Sequence, residues 1–239
     1  MSAIQTVNLT KRFKQNLAVA DLNLSIEQGE LFALLGVNGA GKTTVIKMLS
    51  CLITPTSGDA ILLGDSIATH PHAVKEKINL SPQETAVAPN LSVKENLQLI
   101  AAIYGSSKKE DQMLTSFGLT EVANEKAKTL SGGMQRRLSI AMALISEPQI
   151  LFLDEPTLGL DVLARRELWN AISQLKGKIT MILTTHYMEE AEALSDRIGI
   201  MAKGQLKAVG TAAELIAQTE SATFEDAFIA LATETEVRE

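Results

Sequence analysis

The stretch Gly36-Val37-Asn38-Gly39-Ala40-Gly41-Lys42-Thr43 follows an apolar run at residues 31–35 and precedes a helical pattern, and it fits G-x-x-x-x-G-K-[ST]. Glycines at these positions let the backbone turn tightly enough for its N–H groups to converge on an anion. The dipole of the following helix favours negative charge there, and Lys42 adds a mobile cation. The pattern predicts a strand, a phosphate-binding loop and a helix. It places Gly36, Asn38, Gly39, Ala40, Gly41, Lys42, Thr43 and Thr44 against nucleotide phosphates, with the Thr43 hydroxyl on magnesium.

The rest of the chain supplies a fold around that loop. Ala20, Leu22, Leu24 and Ile26 alternate with Asp21, Asn23, Ser25 and Glu27, as in a half-buried strand of an antiparallel layer. A helix after the loop has Val45, Leu49 and Leu52 on its apolar face, and another strand falls near residues 60–63. Residues 84–145 read as helical, with patterned segments at 92–103, 108–117 and 132–145. Strand and helix then alternate: strands at 150–154, 179–185 and 197–202, helices at 162–175 and 187–194, and two short helices near 211–218 and 223–232. Buried strands alternating with helices imply an α/β fold with a mostly parallel sheet covered on both faces. The expected architecture is one domain over residues 1–232: a P-loop NTPase core with an N-terminal β layer (1–83 and 146–210), a helical subdomain (84–145) and C-terminal helices (211–232). Residues 233–239 form a polar tail.

The strand Ile150-Leu151-Phe152-Leu153-Asp154 ends in a carboxylate, and Glu155-Pro156 follows at once. Such strand ends border the ligand crevice of doubly wound sheets, so Asp154 is placed to reach magnesium. Glu155, pointing away from Asp154 if the strand continues, is free to orient the attacking water or accept its proton. His186 follows the strand at 179–185 and can sit at the next strand end along the sheet. His70 and His72 flank Pro71 in a polar loop without ligand partners. Leu130-Ser131-Gly132-Gly133-Met134-Gln135 opens another helix; Ser131 suits the N-cap, and the paired glycines would expose N–H groups as a second anion site.

Taken together, these residues resemble the nucleotide-binding subunits of ABC transporters along nearly the whole chain. The motifs occur in family order: residues 36–43 as Walker A, Gln83 as the Q-loop, residues 130–135 as the signature, residues 150–154 as Walker B followed by Glu155, Asp161 in the D-loop and His186 in the H-loop. The resemblance implies the ABC ATPase fold and ATP and Mg2+ as cofactors. It implies a head-to-tail pair of copies in which one subunit's Walker A and the other's Ser131, Gly132 and Gly133 hold each ATP. It assigns Glu155, His186 and Gln83 to catalysis, Thr43, Gln83 and Asp154 to the metal, Asp161 to communication across the dimer, and Phe13 to stacking on adenine, where many relatives have tyrosine. Met134 and Val162 depart from the family's usual Gln and Pro without removing a chemical group. Residues 184–192 and 224–228 are similar to bacterial exporter subunits that serve a separate permease for drugs, lipids or polysaccharides. The groove receiving a permease helix is expected at residues 84–91 and the facing helical segment. A regulatory ATPase driving a non-transport membrane partner uses the same residues and stays open as an alternative.

Composition limits the other possibilities. A chain of 239 residues that is 46% hydrophobic can bury a sizeable core, and a net charge of −6 argues against nucleic acid as a partner. A lone cysteine, Cys51, forms no internal disulfide and reads as a small core residue on the apolar face of a helix. No signal-like segment opens the sequence, and no run approaches the roughly 18 apolar residues of a spanning helix. A membrane role therefore requires integral permease subunits on another polypeptide, with this chain cytoplasmic and peripheral on the inner membrane face.

Overall fold

The computed structural model describes residues 1–105 and 110–233. Two long antiparallel strands, β1 (Ser2–Phe13) and β2 (Asn16–Glu27), join β4 (Ser57–Leu62) and β5 (Asp65–Ser66) in a sheet of order β2-β1-β4-β5. The second sheet contains β3 (Leu31–Gly36), β6 (Ile78–Ser81), β7 (Ile150–Asp154), β8 (Thr180–Thr185), β9 (Arg197–Ala202) and β10 (Gln205–Gly210). Its order is β10-β9-β3-β8-β7-β6, parallel throughout except for the antiparallel β9–β10 hairpin.

Every residue of β3 and β7 is buried, as a sheet covered on both faces requires. Phe32, Leu34, Phe152 and Ile182 face the antiparallel sheet and α1 (Lys42–Leu49), where they meet Ile4, Leu22, Ile26 and Val45. Each large apolar side chain buried here contributes about 1.5–3 kcal/mol. Leu151, Leu153, Met181 and Leu183 face the opposite way, onto α3 (Val93–Tyr104), α4 (Glu110–Ser116), α5 (Gly132–Leu144) and α6 (Val162–Ser173). Ala33, Leu35, Ile198 and Ile200 pack under α7 (Met188–Leu194), α8 (Ala212–Gln218) and α9 (Phe224–Thr233).

Helix starts follow local chemistry. Ser92 and Glu95 form a capping box on α3, as do Thr211 and Glu214 on α8; the bonded backbone and side-chain partners hold both glutamates below the ordinary carboxyl value. Gly105, at φ 66°, ends α3.

Several sequence expectations shift. The helix after the phosphate loop stops at Leu49, because Ser50 Oγ bonds the Ile46 carbonyl at 2.7 Å and Cys51 adopts a left-handed φ of 55°. Leu52 is consequently 58% exposed and lies off the helix, and Cys51 packs against the core from a turn rather than from a helix face. His70 and Pro71 do not lie in a plain loop: Pro71 opens a short helix, α2 (Pro71–Lys75), with His70 at its N-cap. Strands β6 and β10 were not expected. The former is a four-residue edge strand, and the latter returns through a two-residue turn at Lys203 and Gly204, whose φ angles are 50° and 79°. The segment expected at 108–117 is described as helix from Glu110; residues 108 and 109, like the tail from 234, lie outside the described residues.

Candidate active site

The carboxyl ends of the adjacent strands β3, β8 and β7 meet in a cleft of about 850 Å³. Its lining includes Phe13, Asn38, Gly39, Ala40, Gly41, Lys42, Thr43, Thr44, Gln83, Glu155 and His186. Gly41 is the N-cap of α1 at φ 107°, and a Cβ there would stand 2.5 Å from the Ala18 carbonyl oxygen. Only glycine allows the loop to close against β2 and still aim the first turn of α1 into the cleft. Phe13 is 46% exposed at the rim, with Lys11 Nζ 5.0 Å from its ring centroid, so an aromatic face is available for stacking.

Charge converges on the cleft floor. Lys42, almost fully buried, donates to the carbonyls of Gly36 at 2.7 Å and Val37 at 3.3 Å, and its Nζ lies 3.5 Å from Glu155 Oε1. Burial pushes its ammonium below the ordinary lysine value, against the opposing pull of Glu155 and Asp154. The Thr43 hydroxyl donates to Asp154 Oδ1 at 3.1 Å, which puts two hard oxygen donors side by side, the set that suits Mg2+. His186 Nδ1 stands 3.3 Å from Glu155 Oε2 and is stacked at an angle on Tyr187, with ring centroids 4.1 Å apart.

Strand β7 ends at Asp154, and Glu155 takes a left-handed φ of 46°, so the strand alternation on which the sequence reading of Glu155 depended does not extend to it; Glu155 Oε1 stands by Lys42 Nζ, and Asp154 Oδ1 accepts the Thr43 hydroxyl.

Ser131, Gly132, Gly133 and Asp161 do not line this cleft. Ser131 caps α5 by accepting from the Met134 N–H at 3.2 Å. Gly132 has open space around its missing side chain, whereas a Cβ on Gly133 would stand 2.8 Å from Ala164 Cβ. One glycine of the pair is therefore required by helix packing between α5 and α6. Asp161 caps α6, accepting from Leu163 N–H at 3.0 Å and Ala164 N–H at 2.9 Å, and Val162 and Leu163 beside it are about three-quarters exposed, at 75% and 76%.

Sequence reasoning missed Arg136, whose guanidinium donates to the carbonyls of Pro156 at 2.8 Å, Asp154 at 2.7 Å, Gln83 at 3.1 Å and Pro82. One buried side chain thus ties Gln83, Asp154 and the turn after Glu155 together. Burial lowers its pKa to about 10, opposed by Asp154, Glu190 and Glu155. The available signal was an arginine on the apolar face of a helix, in step with Gly133 and Ile140. Glu190 was also missed: it is wholly buried, accepts from Trp169 Nε1 at 3.0 Å, and burial raises its carboxyl above the ordinary value.

Comparison with known proteins gives this geometry a context. The family model described as ABC transporter matches residues 19–158. This chain belongs to the ABC transporter family. The linearmycin resistance ATP-binding protein LnrL of Bacillus subtilis is 40% identical over 218 residues, covering 89% of this chain and 70% of LnrL. The probable multidrug ABC transporter ATP-binding protein YbhF of Escherichia coli is 39% identical over 241 residues, covering 96% of this chain and 42% of YbhF. Human phospholipid-transporting ATPase ABCA3 is 42% identical over 220 residues, but the match covers 88% of this chain and only 13% of ABCA3. Among solved structures, an ATP-binding subunit of an ABC transporter superimposes with a TM-score of 0.85 at 29% identity, covering 96% of this chain and 99% of that one. A dimeric ATP-binding cassette in a post-hydrolysis state, bound to ADP and Pi, superimposes with a TM-score of 0.78 at 26% identity, covering 87% and 98%. The fold is that of the ABC ATPases, and the chain is an ABC-type ATPase whose cofactors are ATP and Mg2+. Among the described residues, no helix is long and apolar enough to cross a membrane.

Proposed function

We propose that this chain is the ATP-hydrolysing subunit of an exporter, working as a head-to-tail pair that energises a separate membrane permease. The observation that carries the reading is the convergence of Lys42, the Thr43–Asp154 pair and the Glu155–His186 pair at three adjacent strand ends. In this reading the loop N–H groups and Lys42 bind the phosphates, and Phe13 stacks on the base. Thr43, Asp154 and Gln83 hold Mg2+, which supplies charge neutralisation to the transferring phosphoryl group. Glu155 orients the attacking water and takes its proton, while His186, beside Glu155, contacts the γ-phosphate.

Pairing is supported by the position of Ser131, Gly132 and Asp161 outside their own chain's cleft, on exposed helix starts beside the exposed Val162 and Leu163. Coupling to a permease is supported by the segment 84–91, which is irregular and stapled to α3 by Asn96. That buried amide donates to the Ala88 carbonyl at 3.1 Å and accepts the Ala88 N–H at 2.8 Å. A loop held to α3 in this way, together with the exposed Leu99, Ile103 and Tyr104 further along that helix, suits the docking of an apolar permease helix. Export is supported by the names of LnrL and YbhF, a resistance protein and a probable multidrug transporter component.

Glu155→Gln tests the site directly. ATP binding by calorimetry is expected to persist while turnover falls by at least about a hundredfold, in the range for loss of a general base. The ATP-loaded variant is expected to elute as a dimer in size-exclusion chromatography. Turnover at the parental rate would overturn the assignment of Glu155. Co-purification from membranes then tests the partner, with a multi-span permease expected and a partner lacking any translocation path contradicting export.

A further inference from the structure

Thr184 sits one residue before the end of β8, is fully buried, and belongs to none of the motifs that define the site. Parallel pairing sets it opposite Asp154 on β7. The register brings its hydroxyl to Asp154 Oδ1, to which it donates at 2.5 Å. The Thr184 hydroxyl oxygen in turn accepts the Glu155 N–H at 3.0 Å, and that N–H also reaches the Thr184 carbonyl at 3.1 Å. An amide can only donate, so the hydroxyl's single proton is committed to the carboxylate. Asp154 Oδ1 meanwhile accepts the Thr43 hydroxyl. Thr43, Asp154, Thr184 and the Glu155 backbone are therefore one continuous hydrogen-bonded chain. Two of its links need external restraint. A carboxylate on a strand end has competing rotamers, and a glutamate at φ 46° sits in a region that non-glycine residues occupy only when held there.

We propose that Thr184 is a positioning residue for ATP hydrolysis. Its hydroxyl fixes the Asp154 rotamer that faces Thr43 and, through the Glu155 N–H, the turn that aims the Glu155 carboxylate at the cleft. A valine at this place would fill the same volume and pair equally well in β8, so the hydroxyl is not explained by strand packing. The inference rests on the reading of Asp154 as metal ligand and Glu155 as general base.

The test uses the full chain with Thr184→Val and Thr184→Ser, melting curves for each, ATP turnover, and calorimetric binding of a non-hydrolysable ATP analogue across a Mg2+ titration. Thr184→Val is expected to lower kcat on the order of tenfold, as loss of a charge-assisted hydrogen bond supports. The KM for ATP stays within about twofold, and the Mg2+ concentration for half-maximal analogue binding rises by about threefold. Thr184→Ser restores both. An unchanged kcat and Mg2+ midpoint in Thr184→Val overturns the proposal, as does a serine variant as impaired as the valine one, since the methyl and not the hydroxyl would then matter. Should Thr184→Val fail to fold, Thr184→Ala against Thr184→Ser makes the same distinction: equal activity refutes, and selective loss in alanine supports. A parent chain that does not hydrolyse ATP would instead refute the underlying reading of the site, a result separable from any difference among the variants.

Discussion

Replacing Arg136 with methionine keeps most of the side-chain volume and removes the donors for the carbonyls of Pro156, Asp154, Gln83 and Pro82. Hydrogen bonds from a charged donor contribute about 1.5–3 kcal/mol each, so the full set would give roughly 6–12 kcal/mol if all were counted independently. They are not independent, and burial opposes them: depression of the pKa from 12.5 to about 10 corresponds to about 3 kcal/mol of lost preference for the charged form. Some of the freed carbonyls on the segment 82–83 can also turn to water. The net cost of Arg136→Met is expected at about 4 kcal/mol, within the range for breaking a buried charged network. At about 2–4 °C per kcal/mol for a chain of this size, the melting temperature falls by about 8–16 °C. Urea titration followed by Trp169 fluorescence measures the cost, with an unchanged m-value as the control for a common unfolded state. Arg136→Lys is expected to recover less than half of the loss, because one ammonium cannot span carbonyls on both the 82–83 and 154–156 segments. A methionine variant within about 0.5 kcal/mol of the parent would refute the claim that Arg136 fastens these segments together.

Two further outcomes are expected. A Cβ on Gly132 would meet nothing within 4 Å beyond its own helix and chain neighbours, so Gly132→Glu should fold intact while its carboxylate repels phosphate from that helix start. A mixture of Gly132→Glu and Lys42→Ala chains should then show ATPase activity that neither has alone, and a rate equal to the simple sum of the two would contradict shared sites. Glu190, raised above its ordinary value by burial, stabilises the fold fully below the unfolded value of 4.5, and this contribution is lost as pH rises through the folded value. Glu190→Gln retains the acceptor for Trp169 Nε1 and should flatten the decline in urea midpoint as pH is raised from 4.5 towards 8; parallel profiles for the two proteins would refute it.

The sequence is most legible where one physical demand dictates the residue. The apolar runs of β3 and β7 are readable because both faces of each strand are buried, and the phosphate loop because its path requires glycine at Gly41. Helix stops without glycine are harder. At the end of α1 the signal lies in a serine hydroxyl and a cysteine in left-handed conformation, neither of which departs from an apolar helix pattern. Strand β10 escaped because its residues Gln205 to Val209 are all half-buried, which blurs the alternation on which strand reading depends. Arg136 and Thr184 escaped for a third reason: their partners are backbone and carboxylate groups far away in sequence, brought near only by sheet register and helix packing.

The contact between Gly133 and Ala164 has a mechanical consequence. With no side chain to hold them apart, the first turns of α5 and α6 meet directly, and their caps, Ser131 and Asp161, are set at a fixed spacing on the same exposed corner. Such a corner behaves as a wedge with two teeth rather than as two separate hooks. A displacement of α5 towards α6 by one methyl's width would press its first turn directly on Ala164, with no intervening loop to absorb it.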